Sequence, residues 1–240
     1  MLGIILITNI VLTANLNKNL KKSTETAQER LKPAKIELAL IKNSKCADCF
    51  DISTIVGHIK NTNVNVTKET IFEFNSKEGK AIISRYKIEK IPAVIVTGEI
   101  EKVSIQGLEK KGDALIFSQI NPPYTNPSTG KIVGRVVLLH LKDPACEKCN
   151  DLAALVNQIR AAGVKIAEEK NIEPGSDEGK ELIKKYSIDF VPTIILSEEA
   201  GAYELIQQAW TQIGTKENDG NYVFRGGIQF PALPYINLTT

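Results

Sequence analysis

The sequence repeats itself at an interval of 100 residues, and this constrains the fold more than any other feature. Cys46 and Cys49 recur as Cys146 and Cys149, and Pro92 recurs as Pro192. Residues 76–95 and 176–195 align without a gap and agree at nine of twenty positions. A chain of 240 residues is long enough for two modest domains, at the usual size of about 100 to 150 residues each. The repeat therefore predicts two copies of one domain, at 36–121 and 135–230. An apolar N-terminal anchor and stalk is expected over 1–35, a proline-rich linker over 122–134, and the start of a second linker over 231–240.

Both copies read alike. Ile36 to Ile41 and Val136 to Leu141 are short apolar runs that end at polar residues, the pattern of a buried strand. A cysteine pair follows, then a helix at Asp51 to Lys60 or at Asp151 to Ala162. In the latter Leu152, Leu155, Val156 and Ile159 recur at helical spacing. A second strand is expected at Asn63 to Phe74 and at Val164 to Ile172. Ser76 and Ser176 then open a helix, each with a glutamate two residues on. The proline comes next, with a third strand at Ala93 to Thr97 or Thr193 to Ser197. Strand, helix, strand, helix, proline, strand is an α/β unit.

Composition narrows the class. Apolar residues make up 42% and charged residues 24%, as in folded soluble proteins and unlike disordered or polytopic membrane chains. Lysine and arginine exceed aspartate and glutamate by only 30 − 28 = 2, with no block of like charge, so no nucleic-acid partner is expected. A chain this long needs no disulfide staples, and all four cysteines fall into two Cys-x-x-Cys pairs, which points to chemistry. Two such pairs can share a zinc ion when about 15 to 20 residues apart. Here 96 residues lie between Cys49 and Cys146, so neither a metal nor another cofactor is expected.

The element order, the paired cysteines ahead of a helix, and the run Tyr186-Ser-Ile-Asp-Phe-Val-Pro-Thr resemble thioredoxin. Tyr86-Lys-Ile-Glu-Lys-Ile-Pro-Ala is similar. The resemblance covers both copies and implies an α/β fold of two tandem thioredoxin-like domains, each a central mixed sheet flanked by helices, preceded by a short apolar N-terminal helix. The tandem arrangement also resembles protein disulfide oxidoreductases and isomerases. Two departures from the family pattern are plain: Lys45 and Ala145 replace a tryptophan before the first cysteine, and Ala-Asp or Glu-Lys replaces Gly-Pro between the cysteines.

The resemblance implies that Cys46 and Cys146 attack a disulfide and that Cys49 and Cys149 resolve the mixed disulfide. A helix N-terminus would favour the attacking thiolate, and Cys46 and Cys146 are expected there. Asp48, beside Cys49, would disfavour a thiolate. The resemblance also implies cis bonds at Ile91-Pro92 and Val191-Pro192, with Ile91 and Val191 pairing to an extended substrate through their backbones. His140 lies on the strand leading to Cys146 and has the titration range for acid–base work on Cys149. Leu40 holds its place in the first copy, and a structural core histidine is the competing account.

These readings make the chain a thiol–disulfide oxidoreductase acting on protein thiols and disulfides, with the direction of electron flow open. The alternative is a non-catalytic thioredoxin-like module that binds clients or builds assemblies. Residues 1–17 carry no charge and hold an apolar run from Leu2 to Leu12, short for a span of about 20 residues. Membrane association through residues 1–20 with extracytoplasmic domains is one expectation, and a core helix in a cytoplasmic protein is the other. Leu233-Pro-Tyr-Ile-Asn matches Pro122-Pro-Tyr-Thr-Asn, which leads into a domain, so a further C-terminal domain is expected.

Overall fold

The computed structural model describes residues 32–226 and 234–239. The apolar run and its expected anchor lie outside the described residues, as do residues 227–233. Among the described residues no helix is long and apolar enough to cross a membrane. The chain divides into two units. The first takes in residues up to Lys42 together with Asp51–Lys87 and Ala93–Ser118, and the second takes in Asn43–Phe50, Ile88–Pro92 and everything from Gln119 on.

The first unit contains β1 (Ala34–Lys42), α1 (Ser53–Lys60), β2 (Val64–Glu73), α2 (Lys77–Tyr86), β3 (Ala93–Gly98), β4 (Glu109–Lys111) and β5 (Ala114–Phe117). Its sheet runs β2-β1-β3-β5-β4, with β1 parallel to β2 and the other pairs antiparallel. In β1 the residues alternate: Ala34, Ile36, Leu38 and Leu40 turn inward and meet Val56 and Ile59 of α1 and Val94 and Val96 of β3. Exposed Lys35 and Glu37 stand between them. This period of two fits a half-buried strand better than a helix. At the sheet edge β2 shows water a row of charged and polar residues, Thr67, Lys68 and Glu69 among them, which discourages pairing with another chain.

The second unit holds β6 (Tyr124–Thr125), β7 (Ile132–Val133), β8 (Val136–Leu141), α3 (Ala153–Ala161), β9 (Ile166–Ile172), α4 (Asp177–Tyr186), β10 (Phe190–Val191), β11 (Thr193–Leu196), α5 (Glu204–Ile213), β12 (Gly214–Lys216), β13 (Tyr222–Phe224) and β14 (Ile236–Asn237). Its large sheet runs β12-β13-β11-β8-β9, again with only the outer β8–β9 pair parallel. Val136, Leu138, Ile194 and Leu196 pack on Val156 and Ile159 of α3 and on Trp210 of α5. The Trp210 indole donates to the Val223 carbonyl, 3.2 Å away, so burying it leaves no unpaired polar group. Both units share the order strand, helix, strand, helix, strand around a mixed sheet, an α/β arrangement with five α-helices among the described residues.

The copies share small devices. Ser76 and Ser176 cap α2 and α4, each hydroxyl accepting from the amide three residues on, at 2.9 and 3.0 Å. That third residue is Gly79 or Gly179, where a Cβ would lie 2.2 or 2.1 Å from the carbonyl of Glu73 or Glu173. The helices end at Lys87 and Ser187 in the left-handed region, φ 51° and 48°.

The linker is not simply extended. β6 and β7 form a short antiparallel hairpin, Tyr124 with Val133 and Thr125 with Ile132. The Asn126 carboxamide oxygen accepts from the amides of Ser128 and Thr129 and holds the turn.

Candidate functional site

Each cysteine pair is closed as a disulfide, Cys46 to Cys49 and Cys146 to Cys149, with Cα atoms 5.3 and 5.5 Å apart. These separations lie within the disulfide range. The loops that carry the pairs follow β1 and β8, both apolar strands that fix where the loops start.

One expectation is corrected here. The cysteines do not stand at a helix N-terminus: α1 begins at Ser53 and α3 at Ala153, and the pairs occupy turns ahead of them. The reason lies in Asp51 and Asp151, whose carboxylates accept the amides of Ser53 and Ala153 at 2.9 Å and so begin the helices there. The effect of a helix end fades within its first turn, so a thiolate at Cys46 or Cys146 draws little from it.

At the first pair the charge comes from Arg135, 87 residues beyond Asp48. Its guanidinium grips Asp48, with Nη2 2.5 Å from Oδ1 and Nε 3.2 Å from Oδ2. Nη2 also lies 3.9 Å from Cys46 Sγ, while Asp48 Oδ1 lies 3.6 Å from the same sulfur. The hydrogen bond from Arg135 holds the Asp48 carboxyl below its ordinary range, and the carboxylate in turn raises the Arg135 pKa. Asp48 thus faces Cys46 with its charge neutralised. Cys46 is 8% exposed, and Thr125, fully buried, brings its hydroxyl to 3.9 Å from Cys49 Sγ. That hydroxyl accepts a 2.9 Å bond from the Asn43 side chain.

The second pair opens on a cavity of about 370 Å³ lined by Cys146, Cys149, Pro192, His140, Glu169 and Arg160, among others. His140 is mostly buried, its side chain 14% exposed, and its Nε2 lies 2.6 Å from Glu169 Oε1. Arg160 of α3 pairs with the other oxygen of Glu169. The hydrogen bond with His140 lowers the Glu169 pKa first, helped by Arg160. The first copy keeps the outer half of this arrangement, Lys60 with Glu69 at 2.6 Å, but Leu40 stands where His140 does and is buried in the core.

The peptide bonds Ile91-Pro92 and Val191-Pro192 are cis, as is Pro122-Pro123. Ile91 exchanges two main-chain hydrogen bonds with Thr125, at 2.9 and 2.8 Å. Val191 pairs in the same antiparallel sense with Ile236. His58 is exposed on α1. No group of three or more histidine, cysteine or acidic residues suited to a metal ion occurs among the described residues.

Sequence reasoning missed Arg135, Thr125 and Glu169. Arg135 and Thr125 carry no local signal, since each meets the cysteine loop through the fold alone. Glu169 stands in the same position as Glu69, so the repeat did mark it.

No protein-family model matches this chain, and no curated protein does. Among solved structures, it is similar to the N-terminal N/C domain of the alkylhydroperoxide reductase AhpF from Enterococcus faecalis. The identity is 15% and the TM-score 0.23, over 75% of this chain and 89% of that one. A protein disulfide oxidoreductase from Aeropyrum pernix is similar at 16% identity and TM-score 0.20, over 73% and 81% of the two chains. At TM-scores this low the functional reading rests on the geometry of this chain.

Proposed function

We propose that the chain is a thiol–disulfide oxidoreductase that acts on protein substrates through Cys46–Cys49 and Cys146–Cys149. The observation that carries this reading is the closure of both pairs as disulfides on loops, the second beside an open cavity that also holds Pro192 and a paired histidine.

From the reduced form, the Cys146 thiolate attacks one sulfur of a substrate disulfide. The substrate S–S bond breaks, a mixed disulfide forms, and the first substrate sulfur leaves as a thiolate that takes a proton from water. Cys149 then gives up its proton and attacks Cys146 Sγ. The Cys146–Cys149 disulfide forms, the second substrate sulfur departs, and two electrons have passed from the dithiol to the substrate. The reverse sequence oxidises a substrate dithiol. In the second copy His140 receives the Cys149 proton, and Glu169 orients the ring through its 2.6 Å contact with Nε2. The first copy follows the same steps through Cys46 and Cys49, with Arg135 balancing Asp48 beside the attacking sulfur. Ile91 and Val191 would align an extended substrate at the prolines only after the segments that pair with them, at Thr125 and Ile236, are displaced. The reading includes a membrane tether at residues 1–20, which would put the disulfides on an oxidising side; recovery of the chain in a detergent-free soluble fraction would remove the tether.

The test uses three variants of the full chain: Cys46→Ser with Cys49→Ser, Cys146→Ser with Cys149→Ser, and all four together. Each double variant should exchange disulfides with a reducible protein substrate, and the quadruple variant should not. Equal turnover by the quadruple variant and the wild type would overturn the assignment.

A further inference from the structure

Two segments outside the main sheets lie at equivalent places in the two copies. Pro123-Tyr124-Thr125-Asn126 follows the first copy and Pro234-Tyr235-Ile236-Asn237 follows the second, and they agree at three of four positions. The first returns across its own cysteine loop: the Pro123 carbonyl accepts from the Phe50 amide at 3.2 Å, and Thr125 exchanges both main-chain bonds with Ile91. The second repeats this. The Pro234 carbonyl accepts from the Asn150 amide at 2.7 Å, Ile236 pairs with Val191, and the Leu238 amide donates to the Asp189 carbonyl at 2.8 Å. The Asn150 side chain adds a 3.1 Å bond to the Tyr235 hydroxyl.

The backbone of the residue before each cis proline is therefore already taken. A residue on a strand edge has one N–H and one C=O for its neighbour, so one extended chain excludes a second. The same contact recurs in two copies whose strap sequences lie 111 residues apart, which marks it as part of the repeated unit.

We infer that the two Pro-Tyr-x-Asn segments are internal straps that occupy the edge where an extended polypeptide substrate pairs, and that they make each site selective for small disulfides until they lift. This rests on the proposed exchange activity. The backbone bonds at Ile91 and Val191 are supplied from within the chain, so a polypeptide gains them only by displacing the strap. A small disulfide reaches the sulfurs without needing that edge. The second site is the more accessible, because Cys146 is less buried than Cys46 and adjoins the cavity.

The experiment is done on the full chain with Cys46→Ser and Cys49→Ser, so that the second site is read alone. Ile236→Pro removes the strap amide that faces Val191. After reduction with dithiothreitol and its removal, exchange is measured with a small aromatic disulfide and with a 12-residue extended peptide carrying a mixed disulfide at its centre. Ile236→Pro should speed exchange with the peptide at least fivefold and change the small-disulfide rate less than twofold. Adding the free peptide Pro-Tyr-Ile-Asn-Leu-Thr in excess should slow it again. Anisotropy with the same 12-residue peptide, its cysteine replaced by serine, should show at least fivefold tighter binding to the strap variant.

If the small disulfide reacts but neither peptide exchange nor peptide binding responds to Ile236→Pro, the strap inference is wrong and the exchange activity stands. If no disulfide reacts while the serine peptide binds the strap variant more tightly, the activity fails and the strap remains. A circular dichroism spectrum matching the parent confirms that the variant is folded, and Ile236→Gly, which weakens the strand without removing its amide, should shift both peptide readouts in the same direction by less.

Discussion

Replacing Arg135 with alanine exposes Cys46 to Asp48 alone, and the distances set the size of the effect. Opposite unit charges 3.9 Å apart attract by about 1 kcal/mol at the dielectric of water and by about 4 kcal/mol at that of a protein surface. Asp48 sits 3.6 Å from the same sulfur and repels a thiolate by a similar amount, so the two nearly cancel while both are present. The Arg135 side chain is 38% exposed and that of Asp48 23%. Screening therefore favours the lower limit, about 1 kcal/mol, which is about 0.7 of a pKa unit. In a chain lacking the second cysteine pair, Arg135→Ala should raise the Cys46 pKa by about that amount and cut its thiolate at neutral pH about fivefold. Asp48→Asn should move it about as far down, and the double variant should return near the wild type. The assay is the pH dependence of Cys46 alkylation by iodoacetamide, checked by thiolate absorbance. An unchanged pKa in Arg135→Ala, or a double variant that behaves like Arg135→Ala alone, would refute the charge balance.

Three further outcomes are expected. His140→Leu should slow resolution of the mixed disulfide at Cys146 by about 10²-fold and leave its formation unchanged, as followed by rapid quench; a wild-type rate from about pH 6 to 8 would make His140 purely structural. Cys146→Ser should cost more activity toward small disulfides than Cys46→Ser, since Cys46 is only 8% exposed; the reverse ranking would point to the first copy as the main site. Asp219 is held at about 2, chiefly by its hydrogen bond from Lys185. This folded value is depressed, so the stabilisation is present above about pH 4 and lost as pH falls toward 2. Because Asp219 is 33% exposed, the full linkage value is screened to about 1 kcal/mol. Urea melts should show Asp219→Asn less stable by that amount at pH 6 and nearly equal at pH 2; equal curves at pH 6 would remove the pair from the account.

What the sequence made legible was whatever is encoded locally. The run Val136–Leu141 announces a buried strand because all but one of its residues are apolar, and the strand has those limits. Ser76 and Ser176 announce helix starts because a hydroxyl there can accept a free amide, and both do. The β4–β5 hairpin was hidden because Glu109, Lys110 and Lys111 form a charged edge strand with no alternation. Helix α5 carries Leu205, Ile206, Trp210 and Ile213 at helical spacing, but the first copy shows β4 between β3 and β5 instead. The repeat therefore gives no sign of α5. α1 starts at Ser53, two residues after the sequence pattern suggests, because the Asp51 carboxylate takes the Ser53 amide.

The site shows the same division, and several of the differences between the copies fall around the cysteine pairs. The first copy has Asp48 where the second has Lys148, and it needs Arg135 to offset that charge. It has Leu40 where the second has His140, and the hydroxyl near its resolving cysteine belongs to Thr125 on the strap. The second strap carries Ile236 at that place, which cannot exchange a proton. The first copy thus brings a strap hydroxyl to Cys49, whereas in the second a histidine of the central sheet lines the cavity that also holds Cys149. Lifting the first strap would withdraw the Thr125 hydroxyl from Cys49, whereas lifting the second would leave His140 in place. If His140 takes the Cys149 proton as proposed, the second site would open without losing that group, which is the physical basis for predicting it to be the faster of the two.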